Sequence, residues 1–459
     1  MSTLYFDEAL IRKYDLQGPR YTSYPTAVEF SETFSEEDYR KAAADSVAAG
    51  RPLSLYMHIP FCARLCYYCA CNKIITKRRE KAEPYLHRLY REIAWQARHF
   101  AGDRQVEQLH WGGGTPTFIS PEQMRELMKV TREHFRLRDD DKGDYSIELD
   151  PREVDDETLE TLREIGFNRV SLGVQDFNEK VQKAVNRIQS RELTLSVLNK
   201  ARALGFRSIN LDLIYGLPFQ TPESFAETVD TVLEFAPDRL SVFNYAHLPE
   251  RFMPQRRIQA EDLPSPRDKL TILEQTIEKL VDAGYVFIGM DHFAKADDEL
   301  AVAQSKGELH RNFQGYTTHG NCDLVAMGVS SISMMDRHYY QNFHDMEGYE
   351  AAMDEGRTPI KRGVILNDDD VLRRAVIMQL ICNFTLDKKA ISTTFGIDFD
   401  TYFAPELDIL SGMEKDGLVS LSANEIRVHD SGRLLIRGIC KTFDAYLPKA
   451  EQKKFSRII

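Results

Sequence analysis

Leu53-Ser-Leu-Tyr-Met-His-Ile-Pro-Phe-Cys-Ala-Arg-Leu-Cys-Tyr-Tyr-Cys-Ala-Cys-Asn72 joins an apolar strand to a loop that carries four of the chain's seven cysteines. Leu53 to Ile59 reads as a buried strand, apolar with β-compatible residues and stopped by Pro60. Cys62, Cys66, Cys69 and Cys71 follow with the spacing CxxxCxxCxC. Thiolates this close together make a metal-cluster loop. A [4Fe–4S] cluster held by four thiolates is coordinatively closed, whereas three leave one iron open to bind a ligand. A zinc knuckle built from all four cysteines is the alternative. Zinc sites usually pair two short hooks across a longer loop, and no second hook follows here. A disulfide framework is opposed by the odd cysteine count and the length of the chain.

Composition sets the frame for this loop. The 459 residues are 42% hydrophobic and 28% charged, as in ordinary globular proteins, and suffice for two or three domains. No apolar run approaches a membrane span, and the first residues lack a basic and apolar leader, so the expected compartment is a reducing cytoplasm. The net charge of −12 opposes general nucleic-acid binding while leaving room for a local basic pocket. Cys322, Cys382 and Cys440 are scattered among apolar neighbours and are expected in the core.

Strands and helices alternate from about residue 50 onward. Further strands are expected at Val106 to Trp111, Tyr145 to Leu149, Arg169 to Gln175, Ser208 to Tyr215 and Leu240 to Tyr245. Helices are expected over about 81–99, from Ser120-Pro121 onward, over 155–165, 190–204 and 222–235. Ser120 suits an N-cap and Pro121 the first helical turn, and Gly166 stops the third helix. Six strand–helix units in series predict an α/β fold, a partial (β/α)6 TIM-like barrel with a parallel sheet and right-handed crossovers. Chemistry in such a fold sits at the carboxyl ends of the strands. The expected domains are an N-terminal segment (1–50), the barrel (51–300), an extension or linker rich in aromatics, His and Gly (301–365), and a C-terminal helical domain (366–459). The last, with one hairpin at Leu418 to Val428 and a helix near 431–446, has a winged-helix pattern. It carries no basic stripe, so it reads as a lid or scaffold rather than a DNA reader.

Several residue types gather at the expected strand ends. Gly112-Gly-Gly-Thr-Pro116 lets the backbone approach a ligand or simply makes a tight turn. Glu148 can accept ribose or ammonium hydrogen bonds, or close a salt bridge at the strand terminus. Tyr67 and Tyr68 lie between the cysteines and shield whatever the loop holds. His58, His110, His247, His292, His310 and His319 read as satisfied structural histidines rather than bases. Arg20, Arg187, Arg251 and Arg311 stand in non-helical surroundings and suit carboxylate recognition as a group, although each alone reads as solvated charge.

The chain resembles the radical S-adenosylmethionine superfamily in its CxxxCxxC loop, and it is similar to the oxygen-independent coproporphyrinogen III oxidase family over essentially its whole length. The stretches that carry this resemblance include Gly18-Pro-Arg-Tyr-Thr-Ser-Tyr-Pro-Thr26, His110-Trp-Gly-Gly-Gly-Thr-Pro116, Glu148-Leu-Asp-Pro-Arg152, Gly173-Val-Gln-Asp-Phe177, Asp212-Leu-Ile-Tyr-Gly-Leu-Pro218, Asn244-Tyr-Ala-His247 and His310-Arg-Asn-Phe-Gln-Gly-Tyr316. The resemblance implies that Cys62, Cys66 and Cys69 hold a [4Fe–4S] cluster and that Cys71 is not a ligand. It implies two S-adenosylmethionine molecules. Tyr56, Gly113, Glu148 and Ile332 would surround the first, and Tyr68, Gly114, Thr115, Gln175, Arg187, Asp212 and Ala246 the second. Arg20 and Tyr24 would belong to a segment closing over the substrate.

The implied reaction converts two propionate side chains of coproporphyrinogen III to vinyl groups, giving protoporphyrinogen IX. A 5′-deoxyadenosyl radical takes a hydrogen atom from the propionate β-carbon, carbon dioxide leaves, and an external acceptor takes the remaining electron. The implied partners are this substrate, a one-electron donor protein such as flavodoxin and the acceptor, with no nucleic acid and no membrane insertion, for a monomer. The alternative is a haem chaperone-like relative that binds haem without this turnover; such relatives usually lack the CxC extension and the Gly18–Thr26 segment.

Overall fold

Six strands run parallel and side by side in the computed structural model, which describes residues 6–14, 18–100 and 102–447. They are β1 (Leu53–Ile59), β2 (Gln105–Gly113), β3 (Asp144–Leu149), β4 (Arg169–Gln175), β5 (Ser208–Tyr215) and β6 (Arg239–Asn244). Each of the first five is followed by a helix: α1 (Ala82–Phe100), α2 (Pro121–His134), α3 (Asp156–Glu164), α4 (Arg191–Ala203) and α5 (Pro222–Phe235). The observed limits lie within a residue or two of the expected ones. Local chemistry explains this. Ser120 and Thr221 form capping boxes with Gln123 and Ser224, each with proline at the start of its helix. Asp155 and Ser190 cap α3 and α4.

Contacts divide the chain into two units. One comprises Phe30–Ile272 and Asn321–Ile365, and the other Met1–Glu29, Leu273–Gly320 and Leu366–Ile459. In the first unit the strand order is β6-β5-β4-β3-β2-β1, then β7 (Asp323–Met327), β8 (Ile332–Met335), β9 (His338–Asn342) and β10 (Ile360–Ile365). Strand β7 joins β1 in parallel, with Leu53 opposite Asp323 and Met57 opposite Met327, and β8 to β10 continue antiparallel. The stretch 301–365, expected as an extension or linker, thus adds four strands to this sheet beyond the six expected. Among the described residues of this unit the strand order is open-ended, as a partial barrel requires. The edge of β1 near Asp323 is fixed by a buried charge cluster, in which Arg104 and Arg51 pair with Asp323 at 2.8 and 2.9 Å.

The pleat decides what faces the site. Along β4, Val170, Leu172 and Val174 are buried, while Arg169, Ser171, Gly173 and Gln175 alternate with them on a more open face. On β5 the same alternation exposes Asn210, Asp212 and Ile214. Register places Tyr56 opposite His110, His110 opposite Ser146, and Glu148 opposite Ser171. The sheet therefore has one apolar face under its helices and one polar face lining a cleft. Glu92 of α1 is fully buried and accepts hydrogen bonds from Gly328 N, Asn342 Nδ2 and Tyr349 Oη at 2.8, 2.7 and 2.6 Å.

In the second unit, Asp368–Asn383, Thr385–Asp387, Lys388–Phe395, Ala404–Lys415 and the hairpin Val419–Leu421 with Glu425–Val428 have the helix and strand order expected of a winged helix. The helix expected near 431–446 is two shorter ones, Asp430–Arg433 and Ile436–Lys441, because the backbone at Leu435 (ψ +12°) leaves the helical range between them. Arg20 pairs with Asp291, Tyr21 Oη donates to Asp444 at 2.9 Å, and Ala445 N donates to the buried Tyr24 Oη at 3.0 Å. Cys382 and Cys440 are buried as expected, but Cys322 is only half-buried, standing just ahead of β7. Parts of the expected N-terminal segment (1–5, 15–17) and of the C-terminal domain (448–459) lie outside the described residues.

Candidate active site

The cysteine loop leaves β1 at Pro60 and is tied at both ends. Phe61–Cys62 pairs with Ile74–Ile75, with Ile74 N donating to Pro60 O at 2.7 Å and Thr76 N to Cys62 O at 2.9 Å. Tyr67 N donates to Val185 O at 3.0 Å, Asn186 Nδ2 to Leu65 O at 2.7 Å and Gln255 Nε2 to Tyr68 O at 3.0 Å. Tyr67 and Tyr68 pack on an apolar cluster of Val181, Val185, Leu217, Tyr245 and Ile258. The loop is thus held as a rigid cup at the carboxyl ends of the strands.

Its sulfurs are surrounded by donors. Thr115 Oγ1 lies 3.4 Å from Cys62 Sγ, and Arg152 Nη2 and Arg187 Nη1 lie 3.5 and 3.6 Å from Cys66 Sγ. Both guanidiniums are held by one carboxylate, Asp150, at 2.6 and 3.1 Å. Burial works against the Asp150 charge, but Arg187 and Arg152 outweigh it and bring its pKa down to about 2. Cys69 is bonded by Cys71 and faces Lys73, and its thiol is brought down to about 6, while that same bond raises Cys71. Burial pushes the Cys62 thiol up to about 12.

These features fit an iron–sulfur cluster. Among the described residues no three His, Cys, Asp or Glu side chains converge on one point suited to a single metal ion. A four-iron cluster takes each thiolate on a different iron and needs no such convergence. Three thiols with cationic and hydroxyl donors aimed at two of the sulfurs suit its negative charge.

The glycine-rich turn at the end of β2 lies beside the loop. Gly113 has φ +121°, and a Cβ there would stand 2.7 Å from the His58 ring. At Gly114 a Cβ would meet the Pro60 carbonyl at 2.7 Å, so only glycine lets these backbones approach. Gly113 N donates to Glu148 Oε2 at 3.1 Å, and His110 Nε2 lies 3.5 Å from Glu148 Oε1. Burial pushes the Glu148 carboxyl up, but His110 and Gly113 outweigh it and keep it below the usual carboxylate range. Half of the Glu148 side chain still faces the cleft. His58 Nε2 lies 3.1 Å from Asn72 O; a carbonyl only accepts, so this nitrogen donates and Nδ1 accepts from Tyr56 Oη at 3.1 Å. Burial lowers the His58 pKa and keeps the ring neutral. As expected, this histidine is a satisfied structural group.

On the far side of the cleft, Gln175 has φ +71° at a register shift between β4 and β5, and its Oε1 is buried without a partner. A β-bulge beside a ligand site re-aims a side chain in this way. A Cβ at Gly173 would strike both Arg187 and Gln175 at 2.9 Å, so those two side chains share one small space. Asp212 accepts from Ser171 Oγ at 3.0 Å and Asn210 Nδ2 at 2.7 Å. Burial, then the Glu148 charge, raises its pKa to about 6. The orphaned Gln175 oxygen, the open Glu148 carboxylate and the glycine cradle fit a ligand bearing ammonium, hydroxyl and aromatic amino groups, as S-adenosylmethionine does.

The structure therefore brings together Cys62, Cys66, Cys69, Tyr56, Gly113, Gly114, Thr115, Glu148, Gln175, Arg187 and Asp212. Tyr68 stands within the loop, Ala246 just past β6, and Ile332 on β8, two strands from β1. Arg20 and Tyr24 belong to the other unit. The reading from sequence missed Asp150 and Arg152 as charges at Cys66, the Cys69–Cys71 bond, and Arg257, which stacks on Tyr67 at 5.0 Å. The sequence signal for the first was Asp150-Pro-Arg152 directly after a strand end.

Comparison with known proteins agrees with this geometry. The Radical SAM superfamily profile matches residues 56–232, and the HemN C-terminal domain profile matches residues 366–435. The chain is 60% identical to the oxygen-independent coproporphyrinogen III oxidase of Pseudomonas aeruginosa over 459 residues, all of both chains. It is 55% identical to that of Escherichia coli K12, covering 99% of this chain and 98% of the relative. The solved structure described as coproporphyrinogen III oxidase (HemN) from Escherichia coli, a radical SAM enzyme, superimposes with a TM-score of 0.93 at 53% identity, over 97% of this chain and 100% of that one. The fold and the cysteine loop are those of a radical SAM enzyme. Within that class, the chain belongs to the oxygen-independent coproporphyrinogen III oxidase family. That placement speaks against the haem chaperone-like alternative.

Proposed function

We propose that this chain carries out the oxygen-independent oxidative decarboxylation of two propionate side chains of coproporphyrinogen III, giving protoporphyrinogen IX. The observation that carries this reading is a CxxxCxxC loop with two guanidiniums at Cys66, opening onto the polar face of the parallel sheet, in a chain matched along its whole length by oxidases of that name.

Cys62, Cys66 and Cys69 would hold a [4Fe–4S] cluster. Together with S-adenosylmethionine, such a cluster supplies a 5′-deoxyadenosyl radical when reduced. Glu148, fixed by Gly113 and His110, would accept from the ammonium group of a first S-adenosylmethionine flanked by Tyr56 and Ile332. Gln175, Arg187 and Asp212 would bind a second molecule with Tyr68, Gly114, Thr115 and Ala246. The apolar cluster under Tyr67 and Tyr68 keeps water from the reacting atoms. In the reaction, one hydrogen atom leaves the propionate β-carbon, the carboxylate departs as carbon dioxide, and one electron passes to an external acceptor for each vinyl group formed. Arg20 and Tyr24 are proposed as the substrate-closing candidates. A one-electron donor protein such as flavodoxin and a cytoplasmic, monomeric state complete the reading. Among the described residues no helix is long and apolar enough to cross a membrane.

The test is an anaerobic assay with reductant, S-adenosylmethionine and coproporphyrinogen III. Protoporphyrinogen IX with 5′-deoxyadenosine is the expected result. Haem binding without turnover would overturn the proposal.

A further inference from the structure

The chain is acidic overall, yet its cysteine loop is basic. Between residues 62 and 81 stand six lysines and arginines and one acid, Glu80; Arg64 and Arg79 pair with Glu153 and Arg78 with Glu80, which leaves Lys73, Lys77 and Lys81, and residues 251–257 add three arginines and no acid. The two segments are one surface, because Gln255 bonds Tyr68 O at 3.0 Å and Arg257 Nη1 bonds Tyr67 Oη at 3.1 Å. The arginines of the second segment are exposed. Arg251 lies over the Phe252 ring, Arg256 bonds the Pro249 carbonyl and Arg257 bonds Tyr67. None of the three, nor the exposed Lys77, has an acidic partner among the described residues.

Exposed apolar side chains sit on segments tied to the same loop. Met253 is 72% exposed, Ile188 60% and Ile75 42%. Ile188 follows Asn186 and Arg187, which bond the loop at Leu65 and Cys66, and Ile75 pairs with Cys62. Uncompensated cations among a few apolar anchors form a recognition surface, with charge for steering and apolar contact for seating.

We propose that this surface, formed by the outer side of the cysteine loop and residues 251–257, docks an acidic one-electron carrier protein. The proposal rests on the reading that the loop holds a reducible cluster. A carrier seated here touches the loop itself, where Tyr67, on which Arg257 stacks, lies between Cys66 and Cys69 in sequence. One electron passes from the reduced carrier to the oxidised cluster; no bond is made or broken. Electron-transfer encounters are small and transient, and steering by charge raises their association rate.

The experiment follows cluster reduction by its visible absorbance, without coproporphyrinogen, so it reads docking independently of decarboxylation. The holoenzyme is mixed with photoreduced flavodoxin as the acidic carrier, and separately with photoreduced 5-deazaflavin as a small reductant. The Lys77→Glu, Arg256→Glu double variant is expected to need about tenfold more flavodoxin for the same rate, and to lose the salt dependence of the wild type. Its reduction by deazaflavin should match the wild type. Unchanged reduction by flavodoxin would overturn the proposal, as would equal slowing with both reductants. Binding of a mixed-sequence RNA at this surface, with none of flavodoxin, would overturn it as well.

Discussion

Arg152 and Cys66 stand 3.5 Å apart, Nη2 to Sγ, and the arginine is held there by Asp150 rather than by solvent. The Arg152 side chain is 4% exposed, so its charge is weakly screened. A cation at a ligand sulfur stabilises the more negative, reduced cluster. Arg152→Gln should therefore make the cluster potential more negative, on the order of 50 mV, by the loss of one nearby charge in a medium of intermediate dielectric. Potentiometric titration followed by electron paramagnetic resonance measures this. An unchanged potential with the cluster intact would show that the pair is only structural.

The four cysteines divide by role. Cys66→Ser should lose the cluster. Cys71→Ser should keep iron near the wild-type content, because Cys62, Cys66 and Cys69 are the expected ligands and Cys71 is not. Iron and sulfide analysis after anaerobic reconstitution decides between them, and loss of iron in both variants would contradict a three-cysteine cluster.

Gly113→Ala places a methyl 2.7 Å from the His58 ring at φ +121°. The cost is about 2 kcal/mol or more in the native state. It should also displace the Gly113 N–H from Glu148. The expected outcome is a lower melting temperature and weaker S-adenosylmethionine binding, read by calorimetry and equilibrium dialysis. An unaltered affinity would remove Gly113 from the site.

Asp212 gives a pH dependence with a definite sign. Its folded pKa of about 6 lies above the unfolded value of about 3.9, so the folded state binds the extra proton. Its contribution is fully present below the unfolded value and lost as pH rises through about 6. Asp212→Asn should therefore melt higher than the wild type at neutral pH, by about 1 kcal/mol, and alike at pH near 4. Thermal melts of the cluster-free protein across this range measure it. A stabilisation that grows toward acid would reverse the assignment.

Much of this fold could be read from local signals. The six parallel strands and their helices are marked by apolar runs, by capping residues such as Ser120 and Thr221, and by glycines at helix ends. Strands β7 to β10 were not legible. They are short, and the first of them, β7, joins the sheet through a partner far off in sequence, with Leu53 opposite Asp323. The site divides in the same way. The cysteine spacing and the glycine turn are local patterns. The hold of Asp150 on Arg187 and the bulge that turns Gln175 arise only when separate segments meet.

The most direct measurement uses coproporphyrinogen III carrying deuterium at the propionate β-carbons, with reduced enzyme and S-adenosylmethionine under anaerobic conditions. The account predicts deuterium in the 5′-deoxyadenosine, accompanied by protoporphyrinogen IX. Unlabelled 5′-deoxyadenosine, or labelled substrate recovered intact beside bound haem, would contradict it.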